Sequence, residues 1–189
     1  MATATRPEKL HFTGNDEADR LLAEEPFALL VGFALDQQVS VQTAFTGPLK
    51  LKQRLGTLDP RQIAETDPAA VESAFREKPA IHRFPGNMAR RVQELAALVA
   101  AEYRGDAARV WTGAANADDL RRRISDLPGF GEMKIKALSA VLAKRFGVEV
   151  ARELAPSHPT LGDVDSPEAL EHYQALKREY KAKLKARQQ

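Results

Sequence analysis

A short run of turn residues, positions 127–131 with the sequence LPGFG, is the feature that most constrains how this chain folds. Ile124 and Leu127 indicate that a helix ends at this run. From Ile135 to Phe146 the apolar residues recur at spacings of three, four and seven, which predicts one face of a second α-helix. Two glycines around one aromatic residue predict a tight hairpin, because glycine adopts backbone angles that other residues avoid. The amides of such a hairpin, together with the N-terminus of the next helix, suit a phosphate group.

The rest of the chain has helical signals and no apolar pattern of period two. Residues 26–35 are apolar on every side, which predicts a helix at the centre of the core. Residues 1–14 form a polar lead-in in which Leu10 and Phe12 are expected to pack on the body. We therefore expect an all-α fold of about ten short helices. Helix starts are predicted where a proline follows a capping residue or a glycine, at Gly47-Pro48, Asp59-Pro60, Asp67-Pro68 and Ser166-Pro167.

Composition excludes several classes of protein and of site. The chain of 189 residues has no cysteine, so disulfides and cysteine-ligated zinc or iron–sulfur clusters are ruled out. No apolar run approaches the length that crosses a bilayer, and the first residues lack the apolar core of a secretory signal. We expect no metal, no cofactor and no membrane partner, and a cytoplasmic location at the nucleoid. The four histidines are scattered without metal-ligand spacing: His11, His82, His158 and His172.

Two further segments, like the hairpin, resemble parts of one known protein family. Residues 34–40 (ALDQQVS) look like a hydrophobic helix that ends in a paired glutamine, and residues 84–92 (FPGNMARRV) like a helix start with a basic pair. With LPGFG, the three resemble, in the right order, the helix-hairpin-helix DNA glycosylases of the HhH-GPD superfamily. The likeness is closest to a cysteine-free bacterial branch without an iron–sulfur cluster. It implies an all-α, two-lobed fold and base-excision repair of DNA.

The resemblance also implies which residues contact DNA. In the family the hairpin holds the phosphate backbone, a glutamine fills or probes the gap left by an extruded base, and nearby side chains form the base pocket. A glutamine amide both donates and accepts, so it meets base edges of either kind. The pocket candidates are Asp36, His82 and Phe84. The DNA-binding candidates are Gln37, Gln38, Arg90, Arg91, Pro128, Gly129, Phe130, Gly131, Lys134 and Lys136.

The catalytic residues implied by the family are a carboxylate and, in some members, a lysine. The carboxylate is an aspartate at the start of a later helix, and Asp163 and Asp165 both occupy such a start. Members that also nick the strand have a lysine two residues after the last hairpin glycine, where this chain has Met133. Lys134 follows, and one residue turns a helical side chain by roughly 100°. Hydrolysis by water is therefore expected, with Lys134 as the alternative nucleophile.

The expected protein is a monofunctional glycosylase that flips a damaged or mismatched base from double-stranded DNA and hydrolyses its N-glycosidic bond. It is expected to be a monomer with one HhH-GPD domain over residues 1–189. Within it, one lobe would span about residues 36–140, and residues 1–35 and 141–189 would form the other. The alternative is a non-catalytic helix-hairpin-helix protein that recognises distorted duplex. The base that is excised stays open.

Overall fold

Ten α-helices and two short 3₁₀ helices make up the computed structural model, which describes residues 6–188. Within that range no residue lies in a β-strand, which confirms the predicted all-α fold. The α-helices are α1 (Asp16–Glu24), α2 (Pro26–Leu35), α3 (Val41–Leu55), α4 (Pro60–Glu65), α5 (Pro68–Arg76), α6 (Pro85–Glu102), α7 (Arg109–Thr112), α8 (Ala117–Ser125), α9 (Glu132–Arg145) and α10 (Pro167–Arg187). The 3₁₀ helices span Glu149–Leu154 and Leu161–Asp163.

Most helices begin where the sequence offers a cap. The side chains of Asp59 and Asp67 accept hydrogen bonds from the amides of Arg61 and Ala69, each with a proline at the first helical position. Ser166 caps α10 in the same way through the amide of Ala169. These contacts satisfy amides that have no partner inside the helix. The predicted helix starts at Asp59-Pro60, Asp67-Pro68 and Ser166-Pro167 are therefore confirmed.

The predicted helix start at Gly47-Pro48 is wrong, because α3 runs through both residues from Val41 to Leu55. A proline inside a helix removes one backbone hydrogen bond and costs about 3 kcal/mol. Burial of the same segment offsets that cost, since Gly47 and Pro48 are both buried. A Cβ on Gly47 would come within 2.5 Å of Leu35 Cδ1, so α3 packs closely against α2 at this point. Tertiary packing overrides the local signal.

Helix α2 lies at the centre of the core, as its sequence predicts. Every residue from Phe27 to Leu35 is buried. The rings of Phe33 and Phe12 each meet Phe45 edge-on, with centroids 5.0 Å apart. Leu10 and Phe12 are fully buried, which confirms their predicted packing on the body. The first five residues of the predicted polar lead-in lie outside the described part of the chain.

Helices α1 and α2 pack chiefly on α3, and α4 and α5 pack on α6. Helix α9 packs on both 3₁₀ helices, and α10 adjoins the second of them. One continuous set of buried side chains runs through all these elements. The division into lobes near residues 36 and 140 stays a prediction. From Arg178 onward every described residue of α10 is exposed, so this basic half of the helix projects into solvent.

Candidate functional site

The predicted hairpin lies between α8 and α9. Gly129 adopts φ +80°, the left-handed region that favours glycine. The amide of Phe130 donates to the carbonyl of Leu127 at 3.1 Å, which closes the turn. Gly131 is the N-cap of α9 and has no side chain to cap its first amides. The first turn of α9 therefore presents free N–H groups at the positive end of the helix dipole, a suitable seat for an anion.

The hairpin residues differ in burial: one aromatic side chain is buried, and the glycines on either side of it are exposed. Gly129 and Gly131 are exposed, and Pro128 is half-buried. Phe130, which we predicted among the DNA-contacting residues, is only 5% exposed. Its ring therefore anchors the hairpin in the core, while the backbone around it faces outward. Lys136 is exposed, and its Nζ lies 3.9 Å from Oε1 of Glu132. This is the environment expected for a solvated charge close to the hairpin.

A single arginine joins the hairpin to the predicted glutamine pair. Nη1 of Arg91, on α6, donates to Oε1 of Gln37 at 2.7 Å. The same side chain packs over Gly129, where an added Cβ would lie 2.8 Å from Arg91 Cδ and Nε. The three segments that carry the resemblance are thus adjacent in space, although Gln37 and Gly129 are far apart in sequence. Arg90, beside Arg91, is exposed.

The turn between α2 and α3 holds the paired glutamines in an unusual conformation. Gln37 and Gln38 are exposed, and Gln38 adopts φ +58°, which non-glycine residues rarely do. Strained backbone of this kind persists only where its surroundings fix it, and it concentrates at functional sites. An open groove of about 460 Å³ begins at the two glutamines. Its other lining residues include Phe84, Asn87, Arg90 and Arg91.

The buried imidazole of His82 hydrogen-bonds the backbone of that turn. Its Nε2 lies 3.1 Å from the carbonyl oxygens of both Leu35 and Gln37, and its Nδ1 accepts from the amide of Phe84 at 3.0 Å. These partners require the neutral tautomer with its proton on Nε2. Burial lowers the pKa of His82, whose side chain is 1% exposed. We predicted His82 in the base pocket, which stays a prediction; in the structure its ring is buried and bonds the backbone beside the glutamines.

Phe84 lines the same groove as the two glutamines and is 39% exposed. The guanidinium of Arg83 lies 5.0 Å from the centroid of its ring. An exposed aromatic ring beside a cation offers a stacking surface for a nucleobase. Phe84 therefore remains available for the role that the sequence predicts.

Lys134 points inward, whereas Met133 points outward. The Met133 side chain is 85% exposed, so the residue at the predicted lysine position faces solvent. The Lys134 ammonium donates to the carbonyl of Ala34 at 3.2 Å and lies 5.7 Å from the centroid of the Phe130 ring. Burial, with the charge of Arg91 second, lowers the pKa of Lys134 to about 8. A larger fraction of this amine is neutral near physiological pH than of an ordinary lysine.

Asp36, the residue before the glutamines, caps the end of α2 and is half-buried. Burial raises its pKa, and the positive charges of Lys177, Lys134 and Lys181 oppose that shift. Tyr173 of α10 lies close enough for Asp36 to act on it: burial first, and then the Asp36 charge, raise the pKa of Tyr173 to about 12. The predicted pocket residue Asp36 thus lies between α2, α9 and α10.

The two predicted catalytic aspartates differ in their surroundings. The carboxylate of Asp163 accepts from the amide of Thr160 at 2.8 Å and from Lys144 at 2.8 and 2.9 Å. Burial alone raises the pKa of Asp163, but hydrogen bonds from Lys144 and Thr160 outweigh it and leave the pKa below its ordinary value. Asp165 is exposed and precedes the N-cap Ser166. Within residues 6–188 no hydrogen bond or ion pair engages the Asp165 carboxylate.

Contacts within the protein therefore hold the carboxylate of Asp163, whereas the carboxylate of Asp165 is exposed to solvent. Thr160 and Asp163 form a reciprocal capping box around the second 3₁₀ helix. Lys144 lies near the C-terminal end of α9, about 15 Å of helix rise from Lys134. Asp163 is thereby held at the end of α9 that is remote from the hairpin.

Two expected absences concern metals and membranes. Among the residues that the structure describes, no group of three or more histidines and carboxylates is arranged to hold a metal ion. None of the described helices combines the length and hydropathy that a membrane-spanning segment needs.

Comparison with known proteins gives one match. A family model described as "HhH-GPD superfamily base excision DNA repair protein" matches residues 31–187. The matched range contains the glutamine turn, the α6 start, the hairpin and both candidate aspartates. No curated protein and no solved structure matched the chain.

Proposed function

Since the chain belongs to the HhH-GPD superfamily of base excision DNA repair proteins, we propose that it is a DNA glycosylase that extrudes a damaged or mismatched base and hydrolyses its N-glycosidic bond. The observation that carries this proposal is the double contact of Arg91, which hydrogen-bonds Gln37 and packs over Gly129. It brings the backbone-holding hairpin next to the residues proposed to fill the gap in the duplex. A glycosylase needs both at one place on the DNA.

In this proposal the exposed backbone of the hairpin and the positive charges around it bind the duplex. The free amides at the start of α9 donate hydrogen bonds to a phosphate oxygen, with Arg90 and Lys136 as neighbouring cations. Such contacts position the protein without reading sequence. We propose that it acts as a monomer on double-stranded DNA at the nucleoid.

Extrusion of the base costs a few kcal/mol and is easiest for a damaged or mispaired base. We propose that Gln37 and Gln38 enter the space that the base leaves. Their amides replace its hydrogen bonds to the opposite strand. The fixed conformation of the turn supports this role, since His82 holds the carbonyls of Leu35 and Gln37 in place. Phe84 is positioned to stack on an exposed base at the groove wall.

Bond cleavage gives the sugar oxocarbenium character, which a nearby carboxylate stabilises. We propose Asp165 for this role in preference to Asp163, because both oxygens of the Asp163 carboxylate already have partners. Water is the proposed nucleophile. The exposed methionine at position 133 supports hydrolysis without strand nicking, since the family's lyase lysine is absent there.

A lyase step at Lys134 is the second candidate. The observation that favours it is the inward direction of this side chain, with a pKa lowered to about 8 by burial and by the charge of Arg91. A neutral amine attacks the aldehyde of an abasic site to form an imine, from which the strand is nicked.

The test is base release from a panel of labelled duplexes, each with one lesion or mismatch. Every reaction is divided between alkali treatment and none. Product only after alkali is the expected result and identifies the base. Product without alkali favours the lyase candidate. Salt-sensitive binding with no product from any duplex contradicts the proposal and favours a non-catalytic protein that recognises distorted DNA.

A further inference from the structure

The second half of α10 concentrates the positive charge of this protein. Residues 177–187, which we call the α10 arm, contain six of the 28 lysines and arginines and one of the 26 acidic residues, Glu179. The other residues have 22 basic and 25 acidic side chains, a net charge of −3. A polyanion is therefore attracted by the α10 arm and not by the overall charge of the rest of the chain.

The α10 arm is a helix that projects from the rest of the protein. Helix α10 continues to Arg187, and every residue from Arg178 to Arg187 is exposed. Ten residues of α-helix extend about 15 Å. The apolar side chains of the arm are uncovered as well, with Tyr180 64% and Leu184 41% exposed. Burial of apolar surface against the body therefore does not explain this extension of the helix.

Three cations of the arm lie on one face of α10, in line with Gln174. The residues Gln174, Arg178, Lys181 and Lys185 follow one another at spacings of four, three and four, which places them on the same side of a helix. We call Arg178, Lys181 and Lys185 the basic stripe. Like charges at these spacings repel one another and destabilise a helix. A bound polyanion removes that repulsion.

Gln174 joins this face of α10 to the start of α3. The two side-chain amides pair reciprocally: Nε2 of Gln174 donates to Oε1 of Gln42 at 2.7 Å, and Nε2 of Gln42 donates to Oε1 of Gln174 at 3.3 Å. Gln42 belongs to the first turn of α3, which directly follows the turn that contains Gln37 and Gln38. The basic stripe therefore begins one helical turn beyond this contact, on the face that α10 directs toward the start of α3.

We propose that the α10 arm is a second DNA-binding element, whose basic stripe binds phosphates of the duplex that flanks the lesion. This inference rests on the proposed function, which places the lesion at the glutamine turn. An arm of about 15 Å covers about four to five base pairs, because the duplex rises about 3.4 Å for each pair. Phosphate contacts of this kind add affinity for any sequence and orient the protein on the duplex.

The experiment measures the affinity of the full chain for an undamaged duplex as a function of salt concentration. The variant Lys181→Gln with Lys185→Gln removes two charges of the basic stripe and keeps good helix formers at both positions. We expect the slope of log affinity against log salt to decrease in magnitude by about 1.8, and the affinity near 0.1 M salt to fall by about tenfold.

A matched control removes two cations from another side of the same arm. Lys183→Gln with Arg187→Gln shifts both changes by two residues, and two residues turn a helical side chain by roughly 200°. We expect this variant to keep its affinity within about threefold of wild type. Lys181→Arg with Lys185→Arg retains the charges and should bind as wild type does.

Equal losses of affinity in the two glutamine variants, or no loss in either, would overturn this inference. A basic-stripe variant that keeps its duplex affinity but no longer binds phosphatidylglycerol vesicles would overturn it in favour of a lipid surface as the partner of the arm.

Single-turnover base release at saturating protein separates this inference from the glycosylase proposal. The basic-stripe variant should release base at the wild-type rate once the duplex is saturated, because its changes affect only flanking contacts. A saturated rate reduced by more than about tenfold would contradict a role limited to flanking duplex. A wild-type protein that releases no base would overturn the glycosylase proposal, whereas the affinity measurements would still decide whether the α10 arm binds DNA.

Discussion

Arg91 and Gln37 join two segments of the chain, with Nη1 of the arginine 2.7 Å from Oε1 of the glutamine. The stem of the same arginine covers Gly129 in the hairpin. The hairpin and the glutamine turn are therefore parts of one unit. Preorganisation of this kind keeps contact groups in register with a rigid ligand such as duplex DNA.

Replacement of Arg91 tests that unit. Arg91→Ala removes a positive charge beside the hairpin and frees Gln37, so we expect duplex affinity to fall by about tenfold, since a hydrogen bond to a charged group contributes about 1.5–3 kcal/mol. The measurement is affinity as a function of salt concentration. Arg90→Ala is the matched control, because it removes an adjacent exposed charge without touching Gln37 or Gly129. If both variants lose the same affinity and base release, Arg91 has no joining role.

The space around Gly129 gives a second prediction. Gly129→Ala strains a backbone with φ +80° and also presses a Cβ against Arg91 at 2.8 Å. We expect a loss of about 1 kcal/mol in unfolding free energy, with a larger loss of DNA affinity. Gly56→Ala has nearly the same φ, +76°, and nothing within 4 Å of its added Cβ. It should lose similar stability and no affinity, and equal affinity losses in both variants would contradict the model of the hairpin.

The neutral imidazole of His82 makes stability depend on pH. Burial lowers its folded-state pKa below the ordinary value of 6.5, so the unfolded chain binds more protons as the pH falls through 6.5. Stability from this group is therefore present above about pH 6.5 and is lost progressively below it. The measurement is urea unfolding between pH 5 and 8.

Variants of His82 separate this effect from the other titrating groups. His82→Gln retains an N–H donor for the carbonyls of Leu35 and Gln37 but does not titrate. We expect its unfolding free energy to be lower than that of wild type at pH 8 and to fall less between pH 7 and 5. His158→Gln changes an exposed histidine and should preserve the wild-type profile. An unchanged slope in His82→Gln would show that His82 is not buried neutral.

Lys134 gives a prediction about covalent chemistry. If its amine forms an imine with an abasic site, borohydride trapping should increase with pH and reach half of its maximum near pH 8, because burial and then Arg91 lower its pKa to about 8. Lys134→Met should abolish trapping, whereas Lys136→Met, at the exposed position two residues later, should not. No trapping by the wild-type protein would favour hydrolysis by water alone.

Local signals in the sequence predicted the elements well, since most helix starts depend on short-range chemistry. A capping side chain and a proline are sufficient to position α4, α5 and α10. The helix start predicted at Gly47-Pro48 was wrong because close packing of α3 on Leu35 overrides the local preference of these two residues. That packing depends on residues distant in sequence, which no local pattern records.

The site was predictable as a set of segments but not as a set of roles. His82 lies in an ordinary loop sequence, and only the fold shows that its ring bonds the carbonyls of Leu35 and Gln37 and the amide of Phe84. Asp163 and Asp165 both lie just before α10 in the sequence, and only the fold pairs Asp163 with Lys144. Gly162, in the same 3₁₀ helix as Asp163, packs closely on Ala140 of α9, where a Cβ would lie 2.5 Å from the carbonyl oxygen.

The most direct test of the account is single-turnover base release by Asp165→Asn beside Asp163→Asn, on the lesion that the wild-type protein excises. Asp165→Asn should keep its duplex affinity and stability and lose base release by about 100-fold or more. Asp163→Asn should retain base release and lose about 1 kcal/mol of unfolding free energy, because it breaks the capping box and the Lys144 pair. Full base release by Asp165→Asn would contradict the assignment of this carboxylate to the reacting sugar.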